Sequence, residues 1–365
     1  MGGIGMWGRA VRMERRRRES GETSAAKRRL QMSDIARLAG VSTSTVSRAL
    51  SGSALVNEET RTRIADLARS LNYSINVGAK NLRLQQNRTV AVVIPYDTAS
   101  GQSISDPFFL RMLGSVADAL TERGFEMLLT RVDAEHLNAA AAFYDGGRAV
   151  GIILIGQWHH HDQLNELAAR RVPLVVWGAH LAQQLYCTVG GDNFAGGEAA
   201  TEHLIGLGRR RIAFLGDVEL PEVAQRFAGY REALARHRLP FDRRLLAPIA
   251  FVAERARAAV QSLIDRKIEF DAVFACSDVL AMSSVSTLRE NGRHVPTDVS
   301  VVGYDDIEMA AFFNPPLTTI RQSIEIGGRA LVDCLFALLE GKAELPKVLS
   351  TELIVRATSV PPPNR

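Results

Sequence analysis

Residues 32–50 read MSDIARLAGVSTSTVSRAL and predict two short helices around a tight turn. Ile35, Leu38 and Ala39 recur at helical spacing, so they are expected to form the inward face of the first helix. Gly40 can adopt the positive φ that ends this helix.

The second helix is expected to begin after Ser42, whose hydroxyl can accept a hydrogen bond from a free backbone N–H. Its predicted inward residues are Val46, Ala49 and Leu50, and its predicted outward residues are Thr43, Ser44, Ser47 and Arg48. A helix that is small, polar and basic on its open side suits the major groove of DNA. An ordinary helical hairpin with a solvated face fits the same spacing, so the remaining sequence is needed to choose between them.

Charge is unevenly distributed along the 365 residues. Residues 1–85 contain 16 lysines and arginines against 7 acidic residues, whereas the rest of the chain contains 28 against 33. A basic segment joined to a mildly acidic body indicates an anionic partner at one end. Counterion release would make that binding steeply dependent on salt.

The N-terminal residues 1–31 predict a disordered basic tail that adds non-specific attraction to phosphate. A true start at or near Met13 is the alternative. The segment has no apolar stretch or cleavage site, which argues against a secretory signal, and no apolar run is long enough to cross a bilayer. We therefore expect a cytoplasmic protein with no membrane partner. The three cysteines are scattered and suit reduced thiols: Cys187, Cys276 and Cys334.

A third helix is expected to start after Asn57, a plausible cap. Its apolar stripe would close a three-helix core within residues 32–74; the stripe consists of Ile64, Leu67, Ala68 and Leu71. Residues 75–86 follow as a short basic segment that is too short to be a stable helix alone. This segment could fold on DNA.

From residue 89 onward the pattern changes to β-rich apolar runs alternating with amphipathic stretches. Strands are predicted at 89–94, 126–130, 150–155, 174–177, 211–215, 272–275 and 299–304. Helices are predicted at 108–123, 164–170, 194–206, 223–236, 255–265 and 279–291. This alternation indicates parallel sheets, and its length favours two similar lobes with a cleft at the carboxyl ends of the strands.

Seven short pieces of the chain carry a family resemblance. They are DIA with AGVS and TVSR (34–48), LNY (71–73), DPFF (106–109), VSVVGYDD (299–306) and PLTTI (316–320). With these in order, the chain resembles the LacI/GalR family of bacterial transcription regulators. The resemblance implies an all-α helix-turn-helix headpiece followed by an α/β two-lobed body with parallel sheets, like a periplasmic sugar-binding protein. It implies an effector-binding and dimerisation domain at 87–360, with lobes at about 87–190 plus 323–346 and 191–322 plus 347–360.

The same resemblance implies roles in DNA binding. Thr43, Ser44 and Arg48 would read bases, because an arginine can bond a guanine edge with two hydrogen bonds. Thr45 and Ser47 are better placed for phosphate contacts or packing. The 75–86 segment matches the family's hinge helix, and its implied DNA contacts are Asn76, Ala79, Lys80 and Leu82. Leu82 would insert between base steps in the minor groove, although Ile75 stands where the family has proline.

In the cleft, Arg226 matches the arginine that grips the ligand and Asp305 matches a carboxylate that accepts ligand hydroxyl groups. The other implied ligand contacts are Asp106, Phe108, Trp158, Phe251, Ser277, Asp278 and Gln322, with Gln157 as an alternative to Trp158. An arginine with carboxylates and aromatic faces suits a neutral ring rich in hydroxyl groups. The long loop at 96–105 could extend the pocket toward a larger sugar or oligosaccharide. Each of these residues could instead serve surface ion pairing or core packing.

The resemblance therefore implies a repressor of carbohydrate-use genes that binds a pseudo-palindromic DNA operator as a homodimer and responds to a sugar-like effector. A transport-type sugar-binding protein without gene control is the main alternative. An enzyme is not expected, because there is no P-loop, no glycine fingerprint after the first strand and no serine elbow. No cofactor is expected. The run His159–His161 does not predict a metal site, since consecutive residues rarely converge on one ion.

Overall fold

The computed structural model describes residues 30–50, 53, 55–71, 87–98, 100–343 and 345–360. The chain forms two compact units, Met1–Gln86 and Asn87–Arg365. Several predictions lie outside the described residues. They are the tail up to residue 29, the hinge segment 75–86 and its four implied DNA contacts Asn76, Ala79, Lys80 and Leu82.

The described residues of the first unit form three helices: α1 (Met32–Ala39), α2 (Thr43–Leu50) and α3 (Glu58–Ser70). The predicted caps are confirmed. Gly40 has φ +65° at the end of α1, the Ser42 hydroxyl accepts the Thr45 N–H at 3.1 Å, and the Asn57 side chain accepts the Thr60 N–H at 2.9 Å. Because caps act within one helical turn, their residues specify the helix ends locally.

The three helices bury one shared core, built around Ile35, Val46 and Ile64, which are completely inaccessible to solvent. The prediction that Leu38 points inward is wrong, since 54% of its surface is exposed. The inward face of α1 is centred between Ile35 and Ala36, and Leu38 lies roughly 110° around the helix from that centre at 3.6 residues per turn.

The second unit holds two six-stranded sheets. The first sheet is entirely parallel, with the order β11–β5–β4–β3–β1–β2. Its strands are β1 (Thr89–Tyr96), β2 (Glu126–Asp133), β3 (Ile152–Ile155), β4 (Leu174–Trp177), β5 (Cys187–Gly191) and β11 (Lys347–Leu349). Its helices are α4 (Pro107–Glu122), α5 (Ala141–Asp145), α6 (His161–Ala169) and α12 (Ile324–Leu339). A 3-10 helix at Ala134–Ala140 follows β2.

The second sheet has the order β12–β10–β9–β8–β6–β7, with β12 antiparallel to β10 and the other pairs parallel. Its strands are β6 (Ile212–Leu215), β7 (Leu246–Ala247), β8 (Ala272–Ala275), β9 (Ser300–Asp305), β10 (Thr318–Arg321) and β12 (Glu352–Ile354). Its helices are α7 (Asn193–Gly206), α8 (Pro221–Arg236), α9 (Ala253–Asp265), α10 (Asp278–Glu290) and α11 (Glu308–Phe312), and a 3-10 helix spans Arg243–Leu245. All seven predicted strands and all six predicted helices of the body are present, with ends shifted by at most three residues.

The chain crosses between the lobes three times, after β5, after β10 and after β11. The predicted boundary after residue 346 is wrong, because Lys347–Leu349 pairs in parallel with Val189–Gly191 and so belongs to the first sheet. Strands β5, β7 and β10–β12 were not predicted. They are short, and their positions depend on pairing with distant parts of the chain rather than on a long apolar run.

Each sheet is packed between helices, which explains why its central strands are apolar on both faces. In the first lobe Val92 and Ile94 face one layer of helices, whereas Ala91 and Val93 face the other. In the second lobe Val273 and Phe274 divide in the same way. Among the described residues, no helix is both long and apolar enough to cross a membrane.

Candidate functional site

Helix α2 presents a polar outer face. Thr43, Ser44 and Arg48 are exposed, while Thr45 and Ser47 are half-buried. Val46 and Ala49 face the core, as predicted. The exposed face is therefore small, polar and basic, which are the properties required to enter a DNA groove.

The second candidate site is a cleft between the two lobes. It encloses about 680 Å³, part of it open to solvent. Eight of the nine side chains implied by the resemblance line it: Asp106, Phe108, Trp158, Arg226, Phe251, Ser277, Asp305 and Gln322. They come from loops and helix starts that follow the strands, where the carboxyl ends of parallel strands converge.

Asp278 is the exception and does not line the cleft. It is the first residue of α10 and is completely buried. One of its carboxylate oxygens accepts the Thr319 hydroxyl, and the other accepts the Ile307 N–H at 2.8 Å. Burial raises the pKa of Asp278 well above its usual value. Its side chain therefore points back into the sheet and ties α10 to β10, while the neighbouring Ser277 caps the helix.

Arg226 lies on α8 and is 5% exposed. Its Nε donates to Asn193 Oδ1 at 2.8 Å, and its Nη1 donates to the Cys276 carbonyl at 2.7 Å. The guanidinium carbon lies 3.7 Å from the centre of the Tyr304 ring. Among the described residues no hydrogen bond to Nη2 is found. The guanidinium is thus held in a fixed plane against the wall of the cleft, and one nitrogen remains for a further acceptor.

Asp305 ends β9 with a backbone φ of +120°, and Asp306 follows at +55°. Both values lie in a region that costs a non-glycine residue about 1–3 kcal/mol. Asp306 is held by Arg321 and Arg356, each 2.7 Å from one of its carboxylate oxygens. These ion pairs stabilise the turn that directs Asp305 into the cleft.

The Asp305 carboxylate is 6% exposed and accepts a hydrogen bond from Gln322 Nε2 at 2.7 Å. Burial raises the pKa of Asp305 to about 7. The positive charge of Arg226 lowers this pKa, and the negative charge of Asp106 raises it further. Asp106 is itself largely buried, which raises its pKa, although it caps α4 by accepting the Phe108 N–H at 2.9 Å. Asp305 and Asp106 are therefore buried acceptors whose ionised form is unfavourable unless a hydrogen-bond donor, such as a ligand hydroxyl group, stabilises it.

Aromatic rings form two walls of the cleft. In the first lobe the ring centroids of Phe108 and Trp177 lie 6.1 Å apart. Trp158, whose backbone φ is +51°, lines the same wall. Phe251 faces them from the second lobe. Flat apolar faces beside a fixed arginine and carboxylates can bind a ring that has apolar faces and a hydroxylated edge.

Several lining residues were not predicted, among them Gln102, Trp177 and Glu222. Trp177 ends β4, so the rule that cleft residues follow strands could have identified it. Glu222 lies one helical turn before Arg226, and burial raises its pKa. Gln157 lines the wall, but its amide is already used within the first lobe by the Ala179 N–H, the Ala179 carbonyl and Tyr186.

Between described residues, three hydrogen bonds join the lobes around the cleft. Arg111 Nη1 donates to the Asp306 carbonyl at 2.9 Å, and Gln225 Nε2 donates to the His180 carbonyl at 3.1 Å. His159 Nδ1 lies 3.2 Å from the Glu219 carbonyl. All three end on backbone carbonyls, so each depends on the distance between the lobes.

The histidine run is divided among separate partners. His160 pairs with Glu135, and His161 bonds to the Tyr186 hydroxyl, whereas His159 reaches the other lobe. Within the part of the chain that the structure describes, no group of three potential ligands is arranged to hold a metal ion.

The chain is similar to known regulators over nearly its whole length. The model of bacterial regulatory proteins of the lacI family matches residues 31–76, and that of the periplasmic binding protein-like domain matches residues 201–359. The HTH-type transcriptional regulator CelR of Thermobifida fusca is 35% identical over 352 residues, covering 94% of this chain and 99% of CelR.

Two solved structures are similar as well. A transcriptional regulator CelR–cellobiose complex is 33% identical, with a TM-score of 0.66 over 91% of this chain and 100% of that one. The lac repressor dimer bound to operator and the anti-inducer ONPF is 25% identical, with a TM-score of 0.78 over 91% of this chain and 99% of that one. The predicted fold class, a helical headpiece with a two-lobed α/β body, is confirmed.

Proposed function

Because this chain belongs to the LacI family of bacterial regulatory proteins, we propose that it is a homodimeric repressor of carbohydrate-use genes whose hold on its operator is set by a sugar in the cleft. The observation that carries the ligand half of this proposal is the pairing of Arg226 with Asp305 between aromatic walls. Such a regulator acts on the chromosome, so we expect it to work in the cytoplasm and to catalyse no reaction.

On the DNA side, the exposed face of α2 supports a reading role for Thr43, Ser44 and Arg48. Arg48 is the residue suited to a guanine edge, which would make it the main determinant of sequence. Thr45 and Ser47 are half-buried and fit phosphate contacts or packing. The hinge contacts Asn76, Ala79, Lys80 and Leu82 remain part of the proposal, with Lys80 supplying charge and Leu82 a minor-groove wedge.

On the ligand side, a sugar hydroxyl can donate to the Asp305 carboxylate and accept from Arg226 Nη2 at the same time. Each such bond involves a charged group and is stronger than a bond between neutral groups. The apolar faces of the sugar ring would pack on Phe108 and Trp177. Related CelR has been solved with cellobiose, which agrees with this choice of ligand class.

Coupling between the sites would follow from lobe closure. Three hydrogen bonds, from Arg111, Gln225 and His159, join the lobes at the separation seen in this structure and would break if the lobes moved apart. A sugar that contacts both lobes favours that separation, and a preference of about 5.5 kcal/mol is enough to invert a 99:1 population. In a dimer such a change would alter the spacing of the two headpieces.

Selection of duplexes from a random pool by the full-length protein tests the DNA half. We expect enrichment of a pseudo-palindromic sequence, with steep dependence on salt. Arg48→Ala should flatten the preference at one base position of each half-site, at a cost of about 1–3 kcal/mol. Arg69→Ala is the matched control, because it removes the same charge from the exposed face of α3. Failure of the wild type to prefer any duplex over random DNA would refute the proposal.

Thermal unfolding with a panel of sugars tests the ligand half. A true effector should raise the melting temperature of the wild type and change its affinity for the selected duplex. Arg226→Ala and the milder Arg226→Lys should both reduce the shift, and operator binding by each variant without sugar reports whether it is folded. A panel in which no sugar shifts the wild type contradicts the assignment of the cleft.

A further inference from the structure

A second hollow opens beside the ligand cleft. It encloses about 740 Å³, part of it open to solvent. Loops from both lobes line it: the long loop after β1 and the loop after β3 on one side, and the loops after β6 and β7 on the other. We call it the outer chamber, and the cleft that holds Arg226 and Asp305 the inner chamber.

Four residues line both chambers: Gln102, Trp158, Leu220 and Phe251. The two chambers therefore adjoin at these four side chains, which we call the neck. Trp158 and Phe251 bring one aromatic ring from each lobe to this neck. The Trp158 backbone has φ +51°, a conformation that is uncommon for a bulky residue and that clusters at ligand sites.

The outer chamber repeats the chemistry of the inner one. Arg255 supplies a guanidinium, and Asp97 and Asp217 supply carboxylates. Asp97 is oriented by the Ser100 N–H at 3.0 Å, and Asp217 by the Glu219 N–H at 3.1 Å. The Arg255 side chain is exposed and has no ion pair or hydrogen bond with any described residue. Its donors are thus available at the edge of a pocket that already contains matching acceptors.

We propose that the outer chamber is a second glycosyl subsite, so that the effector is a neutral oligosaccharide of at least two sugar units. One unit lies in the inner chamber between Arg226 and Asp305. The chain then passes between Trp158 and Phe251, and the next unit bonds to Arg255 and Asp97. The proposal rests on the proposed function of the inner chamber as a sugar site. Each chamber combines an arginine with carboxylates, so it offers both donors and acceptors to the hydroxyl groups of a neutral sugar.

Calorimetric titration of the full-length protein tests the second subsite by comparing sugars that share the same sugar unit but differ in the number of units. The probes are glucose, cellobiose, cellotriose and maltose, together with xylose and xylobiose. We expect at least one disaccharide to bind 100-fold or more tightly than its own monosaccharide. A monosaccharide that binds within threefold of its disaccharide in every series would overturn the second subsite while leaving the inner chamber as a sugar site.

Variants separate the two chambers. Arg255→Ala and Asp97→Asn should each lower disaccharide affinity about tenfold and leave monosaccharide affinity within twofold, because both residues line only the outer chamber. Arg266→Ala is the matched control, since it removes the same charge from the end of the same helix, away from the chamber. Arg226→Lys should weaken both sugars. Equal losses for both sugars in Arg255→Ala would refute the subsite, and binding of no sugar of any length would overturn the proposed function together with it.

Discussion

Replacing Asp305 with asparagine is expected to stabilise the protein at neutral pH while it weakens sugar binding. The carboxylate is nearly completely buried, and it accepts a hydrogen bond from Gln322. An asparagine at this position could accept the same bond through its amide oxygen and would carry no charge. Burial costs a carboxylate far more than an amide, so the wild type bears a penalty that the variant lacks.

The size of that penalty follows from the pKa of Asp305, which burial raises from 3.8 to about 7. This rise corresponds to a free-energy cost of at most about 4 kcal/mol once the group is ionised. Because the folded-state pKa is the higher one, the folded protein keeps its proton longer than the unfolded chain does. The contribution of Asp305 to wild-type stability therefore falls as pH rises from about 4 to 7. The advantage of Asp305→Asn should be absent below that window, grow through it and stay constant above it.

Urea unfolding followed by tryptophan fluorescence between pH 4 and pH 8 measures this difference, because Trp158 and Trp177 both line the cleft. Asp118→Asn, on the exposed face of α4, is the matched control and should change stability by no more than about 0.5 kcal/mol at any pH. Sugar affinity should fall at least tenfold in Asp305→Asn only. A variant no more stable than the wild type at pH 8, or one whose advantage shrinks as pH rises, would refute this account.

Three further substitutions have expected outcomes. Gly229→Ala should lower the free energy of unfolding by more than about 2 kcal/mol, because the new Cβ would lie 2.1 Å from the Phe194 carbonyl oxygen where α7 and α8 pack together. Gly206→Ala is the control, since its Cβ would meet open space. Equal melting temperatures for the two variants would contradict this prediction. Ile64→Ala removes a fully buried side chain from the three-helix core and should cost that unit about 2–5 kcal/mol; operator binding at 37 °C should be lost while sugar titration is unchanged, and intact operator binding would show that the core tolerates the cavity. Arg321→Ala leaves Asp306 with one of its two ion-pair partners and should weaken sugar binding through the turn that holds Asp305, whereas Arg329→Ala, which breaks an exposed pair with Glu122, should leave sugar affinity as it was.

Local features of this chain could be predicted wherever the relevant physics acts within a few residues. Ser42 and Asn57 each cap a helix by accepting the backbone N–H of the residue three positions later. Gly40 ends α1 because glycine can adopt a positive φ. The apolar runs at β1 and β8 could be identified as buried strands because every residue in them had to be apolar. Leu38 shows the limit of this reasoning. In a helix as short as α1, the apolar residues fit more than one choice of inward face, and only the packing of α2 and α3 decides which face is buried.

The candidate site could be predicted as a set of residues but not as an arrangement. Asp278 follows a strand of the second sheet just as Ser277 does, yet one faces the sheet and the other the cleft, because the helix that starts there rotates successive side chains by about 100°. Trp177 and Gln102 belong to the first lobe and share the cleft with Arg226 only because the two lobes face each other, whereas Glu222 precedes Arg226 by one turn of the same helix.

The amino-acid order by itself therefore determined the headpiece, the alternation of strands and helices, and the residue types that a sugar would need. Periodicity, caps and turn glycines act over one or two turns of chain and leave a direct trace in the sequence. Only the tertiary structure decided which strand Lys347–Leu349 joins, which acids face the cleft, and that a second chamber opens beyond Trp158. Those features depend on contacts between segments that lie beyond a few helical turns of each other, up to 158 residues apart for Lys347 and Val189, and packing in three dimensions selects them.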